Sequence, residues 1–137
     1  MAYTDNTTGG RLILDSGTPY PRRIDIVEAC EVGDVLGYSS GWKRALATTA
    51  TAIQGRFVAL EAGQSGASVA VSMNPVVGGY ASATPGSYVY VAEATLYGET
   101  TQTAPLTTGD CNTIIGVALS ATEVQFFLNA RVDAVIA

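Results

Sequence analysis

A chain of 137 residues, 47% hydrophobic and 14% charged, is long enough to close one domain around a real core. Its net charge of −5, with only seven Lys and Arg, excludes nonspecific binding to DNA or anionic lipid, which needs a basic patch. The absence of histidine excludes a Ser-His-Asp triad, a Cys-His pair and an imidazole metal site. No apolar run reaches the length of about 18 residues that a membrane helix needs. The opening MAYTDNTTGG carries no basic region followed by an apolar block, so no signal peptide is expected.

In chain order the pattern has period two, punctuated by Gly, Pro and Ser/Thr clusters, which is the signature of an all-β domain. Met1 to Gly10 is polar. Leu12 to Leu14 is a short strand, closed by Asp15-Ser16-Gly17-Thr18-Pro19. Pro19 and Pro21 favour an extended path into Arg22-Arg23. Residues 1–23 therefore read as an extended N-terminal arm, and 24–137 as a single β-domain. Strands are expected at Ile24–Ala29 and Val35–Tyr38. The turn Ser39-Ser40-Gly41 then leads to a strand starting at Trp42. From Trp42 to Gln54, Ala45, Leu46 and Ala47 favour helix while Thr48, Thr49 and Thr51 oppose it. A strand followed by a loop is the reading, with a short helix as the alternative. Gly55–Glu61 turns through Ala62–Gly66 into Ser68–Met73, which Asn74-Pro75 ends because Pro cannot donate to the ladder. Tyr80–Ala83 reads as a short edge strand. Ser87–Ala94 sends Val89 and Val91 to one face, Tyr88 and Tyr90 to the other. A Thr-rich loop, Glu99–Thr108, precedes a hairpin of Ile114–Leu119 and Glu123–Asn129 around Ser120-Ala121-Thr122. Ala130–Ile136 is a last strand or an extended tail.

The chain repeats itself. Ile53-Gln54-Gly55 precedes Val58-Ala59-Leu60, and Ile114-Ile115-Gly116 precedes Val117-Ala118-Leu119. A Gly turn and a strand stand upstream of each, at Gly33 and at Gly86. The expected fold is a small β-barrel or sandwich built from two similar β-motifs, each covering the other's apolar face.

Little in the residues points to chemistry. Lys43 is the sole lysine, beside a Gly-Trp turn that suits a solvated charge. The carboxylates Glu28, Glu31, Asp34, Glu61, Glu93 and Glu99 lie in no motif that forces two together. No P-loop, GxGxxG or EF-hand run occurs, so no cofactor and no metal site is expected. Cys30 and Cys111 fit no metal spacing and read as buried thiols, with a single bridge as the alternative. Trp42, Tyr38, Tyr80, Tyr88 and Tyr90 could serve the core, an interface or a sugar platform.

The segments ACEVGDVLGYSSGWKRA, IQGRFVALEAGQSGASVAV, PGSYVYVAEA and IIGVALSATEVQFFL together resemble the small tailed-phage head decoration proteins, or capsid cement proteins. The similarity covers roughly Ala29 to Leu128. Its most specific parts are Gly116–Leu119 and the following Val124-Gln125-Phe126-Phe127-Leu128. The resemblance implies a β-barrel-like structural protein, not an enzyme, made in the host cytoplasm and carried on the outside of the virion. It implies a homotrimer bound to the major capsid protein, with neither nucleic acid nor membrane as partner. Members of this family often grip the shell with a terminal arm. By position that role falls on residues 1–23, with Tyr3, Arg11, Tyr20, Arg22 and Arg23 as the candidate capsid contacts. A tail or fibre adaptor and a carbohydrate-binding β-module built on Trp42 are the rival readings.

Overall fold

The computed structural model describes residues 11–15, 22–128 and 135–136. Every regular element among them is a strand: β1 (Arg11–Asp15), β2 (Arg22–Asp25), β3 (Val35–Tyr38), β4 (Trp42–Arg44), β5 (Phe57–Ala59), β6 (Ser68–Ser72), β7 (Pro75–Gly78), β8 (Tyr88–Val91), β9 (Thr100–Thr101), β10 (Ile114–Ala118) and β11 (Glu123–Phe126). Alternation decides which residues go inside. In β8, Val89 and Val91 are buried while Tyr88 is exposed and Tyr90 half-buried. Past β4 the chain to Gln54 is a loop with no helix, pinched where Leu46 bridges Ile53. Ala50 stands at φ 71° there, a conformation that breaks any helical run.

Two expectations are corrected. Asn74-Pro75 does close β6, but a new strand opens on the proline itself. The first position of a strand tolerates Pro, and β7 pairs with β1 on one side and β11 on the other. Tyr80–Ala83 is not an edge strand; only Ala81 makes an isolated bridge. The amides of Tyr80 and Ala83 donate to the loop carbonyls of Thr122 and Ala121 instead. Of the segment expected as an arm, Arg11–Asp15 lies in one sheet, and the strand that begins at Arg22 lies in the other.

The two sheets have orders β2-β6-β5-β3-β4 and β1-β7-β11-β10-β8-β9, with antiparallel neighbours throughout. Without β1, these are one topology used twice: first strand at an edge, then fifth, fourth, second and third. The registers agree as well. Val35 faces Val58 as Tyr88 faces Val117, and Leu36 faces Phe57 as Val89 faces Gly116. Ala59 faces Val71 as Ala118 faces Val124. The turn into the second strand is copied too. Gly33 and Gly86 sit at φ 91° and 82°, where only glycine is unstrained, and their amides donate to Ala59 and Ala118 at 2.9 and 2.8 Å. The Val-Ala-Leu echo thus marks equivalent positions, but Gly55 and Gly116 do not. Gly116 matches Phe57, not Gly55. The β10–β8 register shifts between Ile114 and Gly116, and on the β11 side a Cβ at Gly116 would lie 2.7 Å from the Gln125 carbonyl.

The motifs stack front to back. In the first, Leu36, Phe57, Ala59, Val69 and Val71 line a half-barrel with Ile26 and Cys30. The sheet curls because Ile26 bridges Trp42 in parallel and the Val27 amide donates to the Trp42 carbonyl at 2.9 Å. In the second, the equivalent positions Val89 and Val124, with Val91 and Phe126, pack on the back of the first motif, against Val35 and Val58. One core therefore joins the sheets, and another fills the half-barrel. Burying each such side chain stabilises the fold by about 1.5–3 kcal/mol.

Candidate functional site

The five candidate contacts separate. Tyr3 and Tyr20 lie outside the described residues. Arg11 begins β1, opposite Gly78, in the six-stranded sheet. Arg22 and Arg23 stand together on β2, the edge of the half-barrel. Alternation sends their side chains to opposite faces. The Arg22 guanidinium is exposed and lies 6.0 Å over the Phe57 ring. That of Arg23 donates to Glu61 Oε1 at 2.8 Å and to the Ser68 carbonyl at 2.7 Å. Both partners of the Arg23–Glu61 pair are about half exposed, so the pair adds little stability. Its geometric effect is larger: Glu61 also accepts the Ala70 amide at 3.0 Å, fixing the β6 end of this face.

Ala29, Cys30, Glu31, Asp34 and Arg44 line a crevice of about 130 Å³. The Asp34 carboxylate accepts the Glu31 amide at 2.9 Å, closing the turn before β3. It is packed against Gly98, where a Cβ would lie 3.0 Å from both Asp34 Cγ and Arg44 Cγ. Burial pushes Asp34 up to about 6, more than the Glu31 amide and the nearby Arg44 charge pull it down. Arg44 is engaged elsewhere, donating from Nε to Glu28 at 2.8 Å and lying 5.8 Å over the Tyr97 ring. Sequence reading left Asp34 among scattered acids. Its one signal was the turn Glu31-Val32-Gly33-Asp34, and the partner that buries it, Gly98, is remote in the chain.

Cys30 and Cys111 are buried thiols and form no disulfide. Burial first, then the Asp34 charge, pushes the Cys30 thiol up to about 11. At pH 8 it therefore holds its proton. Iodoacetamide is expected to leave Cys30 unmodified in the folded protein and to alkylate it after denaturation, as peptide mapping would show.

A second acidic contact joins the Thr-rich loop to the core. Asp110, 1% exposed, accepts the Thr49 amide at 2.7 Å and the Thr49 hydroxyl at 2.6 Å through Oδ1. The Thr49 hydroxyl bond holds Asp110 below the usual carboxylate range. Burial, followed by its hydrogen bond to Asp110, raises Glu93. The contact between them thus shifts the two carboxyls in opposite directions, Asp110 down and Glu93 up. No cluster of three or more His, Cys, Asp or Glu able to hold a metal ion occurs among the described residues.

Trp42 is half-buried, edge-on to both Tyr38 and Phe57 with ring centroids 5.3 Å apart in each case. It is packed against the half-barrel core and leaves Tyr38 as the exposed ring of that group. No family model, curated protein or solved structure matches this chain.

Proposed function

We propose that this protein binds the outside of a phage capsid and stabilises it, as a decoration or cement protein. The observation that carries the reading is the resemblance of Gly116–Leu128, which folds here as the β10–β11 hairpin at the centre of the six-stranded sheet. A duplicated two-sheet β-architecture of low charge suits a part whose task is to present surface. Stabilisation would follow from mass action. A protein that binds assembled shell across neighbouring subunits favours the assembled state by its binding free energy. A homotrimer would add avidity, because its contacts engage together.

The test uses heads of the phage that carries the gene, purified without this protein. Added protein is expected to sediment with the heads to saturation and to raise the temperature at which they release DNA. Protein that stays in the supernatant, or that binds without changing DNA release, contradicts the reading. The packed position of Trp42 weighs against the sugar platform, which needs an exposed ring face. No observation favours the tail-adaptor reading over the shell.

A further inference from the structure

The duplicated topology exposes a difference between the motifs at one edge. In the second motif the first strand, β7, carries a further strand on its outer side: β1, antiparallel, with Arg11 opposite Gly78 and Leu12 opposite Val77. The equivalent strand of the first motif is β2. Because Val71 matches Val124, Arg22 matches Val77 and Arg23 matches Gly78. No strand lies on the outer side of β2 among the described residues.

The backbone on that side can be assigned. The Ile26 amide donates inward to Ala67 at 3.0 Å, whereas the Val27 amide donates outward to Trp42 at 2.9 Å. Alternation along the strand then points the amides and carbonyls of Arg23 and Asp25 outward. The parallel bridge of Ile26 to Trp42 takes the Asp25 carbonyl, so the Arg23 amide and carbonyl and the Asp25 amide form a short open ladder, ending where the Val27 side chain packs against the Gly41 turn.

We infer that the outer edge of β2 is a strand-addition site for an extended acidic segment of another protein chain. Charge selects the occupant. A second copy offering its own Arg11–Asp15 in the register used at β7 would set Arg11 opposite Arg23 and Leu12 opposite Arg22. Like charges directly opposite one another across strands are unfavourable. A strand with Glu or Asp facing Arg22 gains where that segment loses. No carboxylate pairs with Arg22 among the described residues, while Arg23 is already held by Glu61. Main-chain bonds would supply the affinity and Arg22 the selection. The inference does not depend on shell binding, since the occupant is defined by its chemistry alone.

The test is amide hydrogen exchange on the full chain with three capped hexapeptides: alternating Val-Glu, alternating Val-Lys, and Val-Glu N-methylated at every second residue. Millimolar Val-Glu peptide is expected to slow exchange at Arg23 and Asp25 by roughly fivefold to tenfold, the effect of about one hydrogen bond. The other two peptides are expected to leave it unchanged. Asp25→Pro, which removes an outward amide at a position where an edge tolerates Pro, should abolish the response at Arg23 while the protein still melts cooperatively. No slowing with Val-Glu, or equal slowing with Val-Lys or the N-methylated peptide, overturns the inference. Protection that grows with protein concentration alone overturns the acidic occupant and assigns the edge to a second copy.

Discussion

Phe126→Ala is expected to lower the unfolding free energy by about 3–5 kcal/mol, the usual cost of emptying a fully packed aromatic site. Phe126 is completely buried on β11, where the second motif meets the back of the first. Its cavity would be lined from both sheets, so neither could relax into it alone. Against a typical total of 5–15 kcal/mol, such a loss is a large fraction of the fold's stability. It should appear as a fall in melting temperature of roughly 10–20 °C. Leu106→Ala, at a site 84% exposed, supplies the control and should change stability by less than about 0.5 kcal/mol. A loss below about 1 kcal/mol for Phe126→Ala in urea titrations would mean that the two sheets do not share this core.

Asp34→Asn is expected to stabilise the protein at pH 7.5 and to do nothing at pH 3. The sign follows from the direction of the shift. Asp34 is raised from 3.8 to about 6 in the folded state, so folding favours its protonated form. That contribution is fully present below pH 3.8 and is lost as the pH rises through 6. Above pH 6.5 the wild type carries a half-buried carboxylate at the expense of about 2–3 kcal/mol, which the neutral amide avoids while its oxygen still accepts the Glu31 amide. The second motif already dispenses with the acid. Ser87 occupies the equivalent turn position, with its amide donating to Thr84 as that of Asp34 donates to Glu31, each at 3.1 Å. Denaturant midpoints measured from pH 3 to pH 8 should diverge above pH 5. Parallel curves for wild type and variant would show that Asp34 is not the group that titrates there.

The strands with strict alternation were legible in the sequence. Val35–Tyr38 was read at its observed bounds, and the β8 and β10–β11 readings were right to within a few residues. The duplication was legible through Val-Ala-Leu, because these residues fill the same register slots in both copies. Its full extent was not. The first strands of the motifs, Arg22–Asp25 and Pro75–Gly78, share no residue pattern: one is a charged edge and the other a buried strand between two neighbours. Only their equivalent places beside β6 and β11 relate them. Pro75 hid its strand by a rule that holds inside strands and lapses at their first residue. Asp34 and Asp110 were invisible as sites because Arg44 and Gly98 meet the one, and Thr49 the other, only through the fold. Arg22 and Arg23 were singled out by their position in the expected arm, but their place on an open edge came from topology.

Arg11–Asp15 and the start of β2 belong to the two sheets, so deleting residues 1–23 would damage the fold instead of trimming an arm. The central claim is better tested with the whole chain. Cryo-electron microscopy of heads assembled with and without the protein should show added density on the outer surface. That density should accommodate the two-sheet domain. Identical maps from the two preparations, or density confined to the tail vertex, would contradict the account.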